Sequence, residues 1–166
     1  LEYVQDNYKR KTLFEYNGEG FLTKKTDPNG VYTAYEYNHL NQLVGKVNNL
    51  GHRTSYTYTE DHKLASQTDP EGNTISYSYN ADGKLEFLTN AKGEVTEYQY
   101  GLADKGTFTK IKYPDGTSRT KFFSYSGNLT EDKYGFSTRY TYDENHNITE
   151  IIPPDENSTR FEYDNR

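Results

Sequence analysis

Apolar and polar residues alternate in short runs along the whole chain, and the runs end at glycine, asparagine or aspartate. In "GVYTAYEYN", Thr33, Tyr35 and Tyr37 alternate with Tyr32, Ala34 and Glu36. That period of two puts successive side chains on opposite faces of a strand. In the next copies the second face reads Arg53, Ser55, Thr57 and then Thr74, Ser76, Ser78, so it is small and polar. A turn follows each such strand, with Gly20, Asn41, His62, Gly83 or His146 six places after the first aromatic and Gly127 in an irregular copy. Gly and Asn tolerate a left-handed backbone, and His is enriched there. An aliphatic residue opens a second strand, as in "KLEFLT". "DPNG", "DPEG" or "YPDG" closes it, with Pro presetting φ and Gly ending the turn. One unit is strand, turn, strand, turn, and no stretch has amphipathic helical spacing.

The units recur in register. An aromatic-x-Tyr pair stands at Phe14/Tyr16, Tyr35/Tyr37, Tyr56/Tyr58, Tyr77/Tyr79 and Tyr98/Tyr100, a step of 21 residues each time. The phase is lost around Phe123/Tyr125 and returns at Tyr140/Tyr142 and Phe161/Tyr163, which marks an insertion balanced by a later deletion. An aliphatic column runs through Leu22, Leu43, Leu64, Leu85 and Ile148, and an Asp/Asn column through Asp27, Asn48, Asp69 and Asn90. Gly30, Gly51, Gly72 and Gly93 form a glycine column, with Gly116 and Gly135 in the irregular stretch. The predicted fold is all-β: an antiparallel β-meander of tandem hairpin repeats. Residues 1–166 are expected to form one array of about eight repeats, irregular over about 101–135. Leu1 falls on the aliphatic column and Arg166 inside a turn. No capping unit is evident, although repeat arrays need caps, so the expectation is an excerpt of a longer array cut mid-repeat at both ends.

Composition changes the picture in one respect. Hydrophobic residues make up only 31% of the chain, but 18 Tyr and 8 Phe supply half of them. Disordered segments are poor in aromatics. The chain is therefore read as ordered, with tyrosine as its packing residue: a large ring whose hydroxyl stays wet or bonded. That suits a thin, two-sided sheet. The net charge of −6 argues against a nucleic-acid partner. The absence of cysteine removes disulfides and thiolate metal sites. No apolar stretch approaches the roughly 20 residues of a membrane span.

A period near 21 carrying Tyr-x-Tyr-Asp/Asn, then Gly and Leu, resembles the Rhs or YD-repeat family. "TRYTYDENHNITEI" and "YSYNADGKLEFL" carry the resemblance. Thr59 and Gly101 at the Asp position, and His62 and His146 at the Gly position, depart from the pattern. The resemblance implies a curled β-strip forming part of a hollow shell. In bacterial members that shell encloses a C-terminal toxin domain; in animal teneurins it belongs to an adhesion receptor. It implies neighbouring repeats and an enclosed toxin domain as partners, and a secreted or cell-surface protein. About sixteen strands at ~4.8 Å would make a sheet ~75 Å wide, and open twisted sheets rarely exceed about ten strands without curling.

Candidate chemistry is sparse. Family members cleave themselves near an Asp-Pro-x-Gly-Leu motif; Asp27-Pro28-Asn29-Gly30-Val31 and Asp69-Pro70-Glu71-Gly72-Asn73 lack the Leu and read as turns. "DENHN" at 143–147 has the opening spacing of a calcium loop, but Ile148 and Pro154 stand where Gly and Glu are needed. His39, His52, His62 and His146 make no ligand spacing, and Asn128, Asn147 and Asn157 head three sequons. No catalytic, cofactor-binding or metal residues are assigned, and the chain is expected to be structural rather than enzymatic. The tyrosine columns leave a second reading open: aromatic platforms for cell-wall glycans, or an adhesive module.

Overall fold

The computed structural model describes residues 2–164; Leu1 and Arg166, placed above in the aliphatic column and in a turn, lie outside them. The described residues form sixteen antiparallel strands and no helix, and the strands follow chain order in the sheet. This is the β-meander the alternation predicts. Contacts divide the chain into two units, Leu1–Tyr77 with Asn90–Lys92, and Ser78–Thr89 with Gly93–Arg166.

In the first unit β1 (Glu2–Gln5) and β2 (Lys11–Tyr16) lead into β3 (Leu22–Thr26) and β4 (Tyr32–Tyr37). β5 (Leu43–Asn48), β6 (Arg53–Tyr58), β7 (Leu64–Thr68) and β8 (Thr74–Tyr79) follow, the last two residues of β8 falling in the second unit. Two kinds of turn join them, built alike. In Asn38–Asn41, the Asn41 N–H donates to the Asn38 carbonyl and the Asn38 N–H to that of Gln42, both at 3.0 Å. The Asn38 side-chain oxygen accepts the Leu40 and Gln42 N–H groups, also at 3.0 Å. In Asp69–Gly72 the Gly72 N–H donates to the Asp69 carbonyl at 3.1 Å, and Asp69 Oδ1 accepts from Glu71 at 3.0 Å and Asn73 at 2.8 Å. A short acceptor side chain thus satisfies two turn donors, which is why Asp and Asn fill this column. The fourth turn residue is left-handed: Gly30, Gly51, Gly72, Gly93 and Gly116 lie at φ between +81 and +88, and Asn41, His62 and His146 at 61, 62 and 65.

Each Tyr-ended hairpin of this unit carries one extra residue. Glu36 pairs with Gly45 but Tyr37 pairs with Leu43, leaving Val44 as a bulge. The same shift occurs between Glu15 and Tyr16 and between Thr57 and Tyr58. A bulge changes which face the following residues use. Here it sets the aliphatic residue beside the second tyrosine on one face. No hydrophobic side chain among the described residues is fully buried. Stability therefore rests on the ladders and on cross-strand pairs worth roughly 0.2–1 kcal/mol each.

The second unit contains β9 (Leu85–Thr89), β10 (Val95–Ala103), β11 (Gly106–Lys112), β12 (Ser118–Ser124), β13 (Leu129–Tyr134), β14 (Phe136–Tyr142), β15 (Ile148–Ile152) and β16 (Thr159–Arg160). Its irregular stretch resolves into two departures. β10 and β11 pair without a bulge from Glu97↔Lys112 to Ala103↔Gly106, turning at Asp104 and Lys105, so this hairpin is longer. β13 and β14 are joined through Gly135 alone, with Tyr134 paired to Phe136, so this link is shorter. Phe123, pairing with Leu129 across a bulge, takes the second-aromatic place, and Tyr125 lies exposed in the Ser124–Gly127 turn. Gly106 is fixed by close approach: a Cβ there would sit 1.8 Å from the Phe123 carbonyl oxygen.

Gly72→Val isolates the backbone term, because no atom lies within 4 Å of where its Cβ would be and φ is +88°. A left-handed L-residue costs about 1–2 kcal/mol and a β-branched one more. Thermal unfolding should show a lowered Tm for Gly72→Val and none of that loss for His62→Gly. An unchanged Tm for the valine variant would contradict the strain.

Candidate functional site: the tyrosine face

The strand registers sort the side chains into two faces. On one face, within the first unit, Tyr35 stands opposite Lys46, Tyr37 opposite Leu43, Tyr56 opposite Gln67 and Tyr58 opposite Leu64. In the second unit Tyr98 stands opposite Ile111, Tyr140 opposite Ile151 and Tyr142 opposite Ile148. Phe14 and Tyr16 hold the same places against Lys25 and Leu22. Tyr77 and Tyr79 lie in β8, and Phe161 and Tyr163 follow β16. Leu22, Leu43, Leu64, Leu85 and Ile148 each open a strand beside this face.

The two tyrosine columns do different work. The second-column hydroxyls donate to the backbone carbonyl of the aliphatic residue one hairpin back. Tyr37 reaches Leu22 at 2.9 Å, Tyr58 reaches Leu43 and Tyr100 reaches Leu85 at 2.8 Å, Tyr142 reaches Leu129 at 2.7 Å and Tyr163 reaches Ile148 at 3.0 Å. The geometry explains the need. The β3–β4 ladder ends at Lys24↔Ala34, and the β5–β6 ladder at Gly45↔Ser55. The carbonyls of Leu22 and Leu43 lie beyond those ends, and the tyrosine hydroxyl reaches them where the partner backbone does not. A half-buried carbonyl without a donor is costly. Phe123 tests this logic: β11 and β12 pair continuously to Gly106↔Ser124, the ladder does not open, and the residue there has no hydroxyl.

Burial, and then the neighbouring first-column tyrosine, raises the acidity constants of Tyr37, Tyr58, Tyr100 and Tyr142 above the ordinary 10.0.

The opposite face is a polar mesh. Thr57 and Ser66 hydroxyls share a hydrogen bond at 2.6 Å, and Thr68 and Thr74 one at 2.8 Å. Arg53 donates to the Glu36 carboxylate and, at 3.1 Å, to the Ser55 hydroxyl. Lys24 pairs with Glu15 at 3.7 Å and lies 4.6 Å over the Tyr32 ring.

The other sequence candidates are absorbed into turns. Asp27 pairs with Lys25 at 3.0 Å. Asn73's side-chain amide, donating at 2.8 Å, holds the Asp69 carboxyl below its usual range. Asp143 is lowered in the same way, first by the Asn147 side-chain amide at 3.0 Å. The "DENHN" oxygens are thus spent inside their own turn. His39 lies in the Asn38–Asn41 turn, and the His52 N–H donates to Asn48. His62 and His146 contact the preceding turns through Gln42 and Asn128. Of the sequon residues, Asn147 and Asn157 donate to Asp143 and Asp155. No group of three or more His, Asp or Glu suited to a metal occurs among the described residues.

Two features escaped the sequence reading. Arg119 donates from Nε to Asp132 Oδ1 at 2.7 Å and through a second N–H to Oδ2, holding the Asp132 carboxyl below its ordinary range. Beside this pair the rings of Tyr113 and Tyr134 meet edge to face, 6.2 Å apart at 89°. The signal was present: Tyr113 occupies a place where the repeat has Asp or Asn.

The RHS Repeat family model matches residues 16–52, 37–74 and 58–94, three stretches that start one period apart at Tyr16, Tyr37 and Tyr58. The chain belongs to the Rhs/YD-repeat family. Among solved structures, the crystal structure of TcdB2-TccC3-Cdc42 superposes on 94% of this chain with a TM-score of 0.71 and 16% identity. TcdB2-TccC3 does so over 90% with a TM-score of 0.68 and 16% identity. The Tc holotoxin pore of Photorhabdus luminescens matches 86% with a TM-score of 0.66, again at 16% identity. At that identity the likeness is one of fold. This chain spans 10%, 10% and 9% of the lengths of those chains, respectively. No curated protein matches it by sequence.

The raised tyrosines set a pH dependence. A group whose folded value lies above its unfolded one contributes stability that is complete below the unfolded value, here 10.0, and is lost as pH rises through the folded value. Tyrosinate absorbance should therefore show a class of tyrosines ionising later than the rest, with unfolding as that class titrates. Uniform ionisation at the free-tyrosine value with the fold retained would contradict it.

Proposed function

We propose that this chain is a length of shell wall in an Rhs/YD-repeat protein, non-enzymatic, whose task is to enclose a toxic C-terminal domain of a secreted or cell-surface toxin. The observation that carries the reading is the division of labour on the sheet. One face uses its second-column tyrosine hydroxyls to close its own backbone, and the other uses hydroxyl and ion pairs between neighbouring strands. Nearly every group singled out from the sequence serves the strip itself. The fold likeness to TcdB2-TccC3 chains supports the same reading. A glycan platform is the weaker alternative, because the second-column hydroxyls that would face a sugar are already bound to backbone carbonyls.

Limited proteolysis of the full-length parent tests enclosure. The segment following the array should resist protease as long as the array is folded and become cleavable when it is unfolded. Cleavage of that segment at the same rate in the folded parent as in isolation would sink the proposal.

A further inference from the structure

The repeat rule fails at two adjacent connections on one edge of the second unit, and the failures converge. Tyr113 replaces the usual Asp or Asn, and Asp115 takes over the turn, accepting the Thr117 N–H at 2.9 Å and the Thr117 hydroxyl at 2.7 Å. The next connection on that edge is the shortened one at Gly135. Tyr134, 55% exposed, packs against the Tyr113 ring instead of a turn. With Glu94, Asp115 and Arg119 the two rings line an open groove of about 790 Å³.

The charge in the groove is unbalanced. Arg119 is matched by Asp132, which it grips through two hydrogen bonds. The remaining lining charges, Glu94 and Asp115, are both negative, in a chain of net charge −6. Elsewhere the protein covers tyrosine rings with its own cations: Lys11 lies 4.1 Å from the Tyr3 centroid, Lys24 4.6 Å from that of Tyr32, Lys84 5.2 Å from that of Tyr100 and Arg10 5.5 Å from that of Tyr8. Among the described residues none lies over Tyr134 in this way.

We infer that this groove is a binding site for an arginine side chain presented by a partner segment. The guanidinium plane would stack on the Tyr134 ring, and its N–H groups would meet the free oxygen of Asp115. A planar, permanently charged group with several donors satisfies both surfaces, whereas a neutral group of the same shape leaves the carboxylates unpaired. The site stands whether or not the array encloses anything.

The test is titration of the isotope-labelled 166-residue chain with acetyl-arginine amide, read as amide NMR shifts at residues 115–117 and 134–136. Acetyl-citrulline amide, which has the same outline without the charge, and N-acetylglucosamine serve as the other arms. Asp115→Asn is the informative variant, because Asn29 makes the same turn bond to the Val31 N–H at 3.1 Å in an equivalent turn. The expected result is saturable shifts with arginine, at least tenfold weaker with citrulline, and at least tenfold weaker again for arginine with Asp115→Asn. Equal binding of citrulline, an unaffected Asp115→Asn variant, shifts with the sugar alone, or no saturable shift would each overturn the inference.

Discussion

The hydrogen bond from a tyrosine hydroxyl to the carbonyl of an aliphatic residue one hairpin back is the contact on which this sheet depends. A β-meander with no deep core must satisfy its backbone without help from packing. Each hairpin here contains a bulge that brings an aliphatic side chain beside a tyrosine. The neighbouring ladder ends before reaching the same aliphatic residue, and its carbonyl is left over. Only an aromatic residue with a polar tip spans the gap and stays half-wet. The column is tyrosine for this reason, and it becomes Phe123 where the ladder stays closed.

Much of this was legible in the sequence. Alternation gave the strands, and the Asp/Asn and Gly columns gave the turns, because those side chains act on their own backbone within four residues. Even the histidines at 62 and 146 stand at left-handed positions, as the column predicts. What could not be read was any contact that depends on register between hairpins. The partner of Tyr58 lies fifteen residues away across a bulge, and nothing local encodes it. The irregular copy misled for a related reason. "FFSY" offers two ways to place an aromatic-x-Tyr pair, and with Ser124 in the Asp/Asn place the turn signal was too weak to choose. The structure puts Phe123 in the column and Tyr125 in the turn. The Arg119–Asp132 pair joins residues thirteen apart on neighbouring strands, again a matter of register.

The same constraint shapes the functional reading. A wall segment needs regularity, and groups consumed in maintaining regularity are not available for chemistry. Departures from the repeat are then the places where a partner can be recognised, since they carry residues the strip does not itself require. The edge groove at Tyr113 and Tyr134 is such a departure, while the turns that resemble metal or cleavage motifs are not.

The central claim is tested most directly by comparing two sets of Tyr→Phe changes in thermal unfolding. Replacing Tyr37, Tyr58, Tyr100 and Tyr142 together removes four hydroxyl donors at about 1 kcal/mol each, and sites this far apart should add. Replacing Tyr35, Tyr56, Tyr98 and Tyr140 removes as many hydroxyls from the other column. The account predicts a loss of several kcal/mol for the first set and little for the second. Equal losses, or none for the first set, would contradict it.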